Sequence, residues 1–185
     1  MKICSLATLI MAAVITLGIS SNSNARSLSC ESNDGTTLRH WLLENAYACG
    51  PGKGDPSSSA DIEAVGSPFN FETWQTEEAI TRDLDASASL DIELIVGGWD
   101  QKNIFATWQL APGFWDEHEI AVFSFYVGSS DEENLSDFAT FIITPGQYSG
   151  TLFYTQVNNA GLENTGAGGL TNVRVWTPEK SNRDS

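Results

Sequence analysis

Five adjacent residues, Trp115-Asp116-Glu117-His118-Glu119, bring an aromatic ring, three carboxyls and an imidazole into one short stretch. A glycosidase needs two carboxyls flanking the bond it breaks. Asp116 and Glu119, with Glu117 between them, are therefore the candidates for acid–base work on a glycan, and His118 is a candidate metal ligand beside them. The plainer reading is an exposed acidic turn before a strand, because nothing in the sequence fixes how far apart these carboxyls stand. A second acidic run, Ser129 to Asp137, places Asp131, Glu133 and Asp137 where loop oxygens could converge on Ca²⁺. It has neither the spacing nor the central glycine of an EF-hand loop, and a solvated hairpin loop accounts for it equally well. No GxSxG, phosphate-binding loop, dinucleotide fingerprint or zinc-type Cys/His spacing occurs. No cofactor other than Ca²⁺ is therefore suggested.

Aromatic rings are the other chemical resource. Of six tryptophans, Trp41 and Trp108 sit on apolar faces and read as core. Trp99, Trp115 and Trp176 lie at strand ends or out of phase with neighbouring apolar residues. An exposed row of these three rings would stack on sugars. Ordinary core and edge packing is the competing reading.

The chain opens with Lys2, an apolar run from Ile3 to Ile19, and Ser23-Asn24-Ala25 with small residues at −3 and −1. This pattern predicts a secretory signal peptide at 1–25, cleaved after Ala25, and hence a secreted, extracellular or periplasmic protein. An uncleaved membrane anchor is the alternative for an apolar stretch of this length. Cleavage leaves 160 of the 185 residues, and the loss of Lys2 takes the formal charge from −15 to −16. That is one ordinary domain. So acidic a surface repels nucleic acid and anionic membranes, and it suits divalent cations, neutral glycans or simple solubility. Cys30 and Cys49 are the two cysteines beyond the leader, and in an oxidising compartment an even pair predicts one disulfide.

Periodicity then supplies the frame. Leu38, Trp41, Leu42, Ala46 and Cys49 recur at helical spacing, stopped by Gly50-Pro51. A short helix tethered by the disulfide is expected there, with His40 on its surface, and a strand through Trp41 to Cys49 remains open. Phe69 to Trp74 alternates like a strand, and Thr76 to Leu84 reads as a helical turn or loop. From Ser87 the alternation is cleaner. Leu90, Ile92, Leu94 and Val96 share one face. Ile104, Ala106, Trp108 and Leu110 share the next, with Phe105, Thr107 and Gln109 opposite. Ile120–Val127 and Phe138–Thr144 are apolar on both sides and predict strands covered twice. Thr151–Thr155 and Leu170–Trp176 complete the set. The fold expected over 26–178 is a single all-β antiparallel sandwich of about seven to nine strands with a short N-terminal helix or loop region. Residues 179–185 read as a disordered tail.

Thr107-Trp108, Phe114-Trp115, the apolar strand Ile120 to Gly128, Phe138 to Ile143, Ser149-Gly150-Thr151 and Gly168-Gly169-Leu170 follow one another in an order that resembles a group of secreted bacterial proteins. These are the extracellular proteins associated with PEP-CTERM sorting and exosortase. Upstream, Ala48-Cys49-Gly50 and Gly54-Asp55 are similar to that group's Cys-Gly and Gly-Asn-Asp region. The chain departs from the group at Tyr126-Val127-Gly128, where Lys often precedes the Gly, and at Thr171-Asn172, where Ser-His is common. No sorting tail follows Thr177-Pro178-Glu179. The resemblance implies an envelope- or matrix-associated interaction module that is released from the membrane, and it transfers no catalytic residue. The expected partners are extracellular polysaccharide or matrix components. The alternatives are a glycan-active enzyme and a Ca²⁺-stabilised structural protein.

Overall fold

Strands with alternate apolar residues pair into two antiparallel five-stranded sheets in the computed structural model, which describes residues 26–35, 37–70, 72–81, 89–128, 135–158 and 169–179. The leader with its cleavage site at Ala25, Asp131, Glu133 and the tail from 180 onward lie outside the described residues. In chain order the elements are β1 (Ser27–Asn33), β2 (Thr37–Glu44), β3 (Ala46–Gly52), α1 (Ser59–Glu63), β4 (Trp74–Thr81) and β5 (Leu90–Val96). Then come β6 (Asn103–Leu110), α2 (Phe114–Glu117), β7 (Val122–Tyr126), β8 (Phe138–Ile143), β9 (Ser149–Asn158) and β10 (Asn172–Pro178). The front sheet has the order β1-β2-β9-β6-β5 and the back sheet β3-β8-β7-β10-β4. The protein is an all-β sandwich with ten described strands, more than the seven to nine expected.

The surplus comes from the N-terminal third, where the segment takes the strand alternative in place of the short helix, as the pair β2 and β3. In β2, Arg39, Trp41 and Leu43 face inward with period two. Leu38 and Leu42 face outward yet are apolar, and they fill the i, i+4 positions that imitate a helix. His40 lies on the outer face of a strand, not on a helix surface. Asn45, in the left-handed region at φ 64°, turns the chain from the front sheet into the back one. Its side-chain amide donates to the Ser149 carbonyl at 2.8 Å, and its own carbonyl accepts from Thr144 N at 2.8 Å. The ribbon β8–β9 follows the same corner, so β2 pairs with β9 and β3 with β8.

Of the stretch expected as strand, Phe69 to Trp74, the described residues before Trp74 form turn and bend, and β4 begins at Trp74. The helical turn or loop expected over Thr76 to Leu84 is strand β4 over its described residues, to Thr81. Its alternation is hidden by a bulge at Glu77, which lets Trp74 face outward under a cover and Ile80 face the core. Edge strands β3 and β5 carry bulges as well, at Tyr47 and Ile95. Such irregular edges resist pairing with another sheet.

Between the sheets the core is aromatic. Trp41 packs on Tyr154 at 5.5 Å between centroids and Trp108 on Phe123 edge-to-face at 5.2 Å. The twice-covered character expected of β7 and β8 is present. Their inner residues join the main core, while Val122 and Ile142 join a second cluster with Ile62, Phe69, Trp74 and Trp176. The segment carrying α1 thus roofs the outer face of the back sheet.

Two landmark glycines serve this packing. A Cβ on Gly150 would stand 2.8 Å from Nε1 of Trp108, its cross-strand partner. A Cβ on Gly50 would stand 2.2 Å from Cγ1 of Val65 in the roof. Gly150→Ala is expected to cost about 1–3 kcal/mol by overpacking. Urea melts of the variant check this, and a change below 0.5 kcal/mol contradicts it.

Candidate functional site

The roof makes the two outer faces unequal. Among the described residues, no such cover lies over the front sheet, whose outward side chains include three adjacent rows across the strands. The middle row is apolar: Leu42 on β2 faces Phe153 on β9, Phe153 faces Phe105 on β6, and Phe105 faces Val96 on β5. Directly opposed side chains on neighbouring strands stand about 5 Å apart at Cβ, so the four form one continuous strip. Phe153 is 37 % exposed and Val96 59 %, whereas Phe105 and Leu42 are half-buried. Val157, 48 % exposed, and Leu38 make a second apolar pair four residues away, beyond His40 and Thr155.

Polar side chains flank this strip on both sides. One row holds His40, Thr155 and Asn103 in register, and Thr155 donates its hydroxyl to the Asn103 carbonyl oxygen. His40 meets the Ser29 hydroxyl at 2.7 Å, lies 3.8 Å from a Glu31 oxygen, and sets its ring edge-on to Phe153 at 6.4 Å. The other row holds Glu44, Thr151, Thr107 and Glu93. Glu44 accepts from the Thr151 hydroxyl at 2.9 Å and from its backbone N–H at 3.1 Å. The charged groups of the face are Glu31, Glu44, Asp91, Glu93 and, when protonated, His40; no lysine or arginine projects from its strands. The face is aromatic along its middle, hydroxyl-rich at its margins and negatively charged.

The residues singled out by sequence are dispersed. Trp99 sits in the β5–β6 hairpin, packed against the main core. Trp115 sits in α2, at the opposite end of β6, with its indole N–H donating to the Gln147 carbonyl at 2.8 Å and its ring edge-on to Phe114. Trp176 is buried under the roof and donates to the Ser124 hydroxyl at 2.9 Å. The three rings form no exposed row, and core and edge packing, the other reading of the sequence, describes them. Each ring is at a strand end or out of phase because it serves a different boundary of the sandwich.

Asp116 and Glu117 lie exposed on α2, and Glu119 is exposed just beyond it. His118 packs its ring against Phe114 at 4.6 Å. Among the described residues, no group of three or more His, Cys, Asp or Glu side chains could hold a metal ion. Asp137, the member of the candidate Ca²⁺ set that lies within the described residues, faces the protein interior. It is buried, with Oδ1 3.4 Å from Nη1 of Arg39 and Oδ2 3.5 Å from Nζ of Lys53 and accepting from Gly54 N at 2.8 Å. Two cations already face its carboxylate, the opposite of what a Ca²⁺ ligand offers.

Arg39, on the inner face of β2, is buried completely. It donates to the Ser136 carbonyl at 2.6 Å and to Gln156 Oε1 at 3.1 Å, and Tyr154 donates its hydroxyl to the same Gln156 oxygen at 3.2 Å. Burial pushes the Tyr154 phenol well above its ordinary range. This network plugs one end of the core.

Cys30, on edge strand β1, and Cys49, on edge strand β3, come together at the open side of the sandwich, where the two thiols interact and Cys49 donates to the Ser29 carbonyl at 3.2 Å. No helix among the described residues is long and apolar enough to cross a membrane. No protein family, no curated protein and no solved structure matches the chain.

Proposed function

We propose that this is an exported, non-catalytic interaction module whose outer front face binds a neutral polysaccharide. The observation that carries the reading is the in-register strip Leu42–Phe153–Phe105–Val96 between two rows of hydroxyl, amide and carboxylate groups. A sugar ring presents an apolar C–H face bordered by hydroxyls. The strip offers a surface for the face, and the flanking Thr155, Asn103, Thr151 and Thr107 offer partners for the hydroxyls. The strip crosses four strands, a span of roughly 14 Å from three interstrand spacings, enough for a short run of sugars. The carboxylates on the face and the chain's net charge of −15 favour an uncharged chain over a uronate-rich or sulfated one.

Export is supported by the leader-like first 25 residues, and an envelope or matrix role by the resemblance to exosortase-associated proteins. The apposed Cys30 and Cys49 fit a disulfide that would clamp the two sheets where they otherwise meet only through side chains. Closing a loop of this length contributes about 3 kcal/mol. The oxidised protein should therefore unfold at higher urea than the reduced protein or Cys49→Ser, as measured by equilibrium melts. Identical midpoints would remove the clamp from the account.

Affinity electrophoresis tests the binding reading. Gels containing neutral glucans, mannans or xylans should retard the protein, whereas gels with alginate or pectate should not. Unretarded migration in every neutral gel would overturn the proposal.

A further inference from the structure

The two cysteines differ in access. Cys30 is 4 % exposed and belongs to the main core, while Cys49 lies on edge strand β3, only partly covered. The Cys49 thiol donates to the Ser29 carbonyl at 3.2 Å, so its sulfur sits over the backbone of β1, next to Cys30. An external reagent approaching the rim of the finished sandwich meets the partly covered Cys49 before the nearly enclosed Cys30.

We infer that Cys49 is the site of attack by an external disulfide oxidant and that Cys30 is the resolving thiol, so the clamp closes in the already folded sandwich. The oxidant is defined by its chemistry: a small disulfide R–S–S–R, or a thiol–disulfide exchange protein carrying a reactive one. Cys49, as thiolate, attacks one sulfur of R–S–S–R, forms the mixed disulfide Cys49–S–S–R and releases one RS⁻. Cys30 then gives up its proton, attacks the Cys49 sulfur and expels the second RS⁻. Two protein thiols are oxidised, one external disulfide is reduced to two thiols, and the two protons pass to the leaving thiolates.

Electrostatics at the pair run in the same direction. The Cys30 thiol beside it holds the Cys49 thiol below the ordinary cysteine range against the opposing effect of burial. The neighbouring Cys49, with burial, pushes Cys30 far above that range. Of the two, the accessible sulfur ionises more readily, and the thiolate is the nucleophile. The order rests on the clamp proposed above, and the two can fail separately.

The test uses the full chain carrying Cys4→Ser in the leader, so that Cys30 and Cys49 are its two thiols and this background serves as wild type, reduced under native conditions and mixed with glutathione disulfide, followed by intact mass. The wild type should lose two hydrogens without accumulating an adduct. Cys30→Ser should accumulate one glutathione adduct, on Cys49. Cys49→Ser should acquire one at least about tenfold more slowly, since its thiol must wait for the structure to open. Circular dichroism establishes that each variant is folded. Should one not fold, brief iodoacetamide labelling of the reduced wild type, read by peptide mass, should mark Cys49 before Cys30. Equal trapping in both variants, or equal labelling, with the two-hydrogen loss intact keeps the disulfide and overturns the order. A wild type that never loses two hydrogens overturns both.

Discussion

Replacing Phe105 and Phe153 together by alanine should weaken binding of a neutral glycan about 30-fold. Each ring face covered by a sugar removes on the order of 40 Å² of apolar surface from water, about 1 kcal/mol per ring. Two rings then contribute about 2 kcal/mol, which corresponds to that factor. The fold should survive. Phe153 is more than a third exposed and Phe105 is half-buried on the outer face, so the pair loses chiefly cross-strand contact with Leu42 and Val96. Such pairs are each worth about 0.2–1 kcal/mol. Isothermal titration with the glycan found by affinity electrophoresis measures the effect. Asp116→Asn with Glu119→Gln serves as control and should bind like the wild type, because those carboxylates lie off the face. An unchanged Kd in the double alanine variant would remove the strip from the binding account.

The largest stability effect is expected at Asp137→Ala. Arg39 is wholly buried, and among the contacts described above Asp137 supplies its carboxylate. Removing one partner of a buried ion pair leaves the other charge uncompensated in low dielectric, at a cost of about 3–5 kcal/mol. For a domain of this size that lowers Tm by roughly 10 °C. Lys53, whose side chain is 46 % exposed, adds little to the pair. The combination Asp137→Ala with Arg39→Met removes the stranded charge and should recover a large part of the loss. Scanning calorimetry distinguishes these cases. A single variant within about 1 kcal/mol of wild type contradicts the role given to Asp137.

The sandwich was legible wherever one face of a strand is apolar and the other polar, as at Leu90 to Val96 and Ile104 to Leu110. It was also legible where both faces are buried, as in β7 and β8. It was obscured where an outer face is apolar. Leu38 and Leu42 turned β2 into an apparent helix, and the bulge at Glu77 broke the phase of β4. The same outward leucines that confused the reading of β2 now line the candidate site. Phe105 was visible as a ring opposite the core face of its strand. Its alignment with Phe153, Leu42 and Val96 depends on the register of four strands scattered over more than a hundred residues, which no local pattern reveals. Tryptophan is the largest ring, yet in this chain Trp108 and Trp176 are buried, while the less conspicuous Phe105 and Phe153 face outward. The acidic residues misled in a similar way. Asp137 belongs to an acidic run by sequence and to Arg39 by structure.

The central claim is that the front sheet's outer face is the binding surface. Amide chemical-shift mapping of the isotope-labelled protein, titrated with a neutral oligosaccharide of the class that retards it in the gel, tests this most directly. The account predicts saturable shifts concentrated in β2, β9, β6 and β5 around Leu42, Phe153, Phe105 and Val96, with the roof over the back sheet silent. Shifts gathered instead around Trp115 and His118, or on the roof near α1, would contradict it.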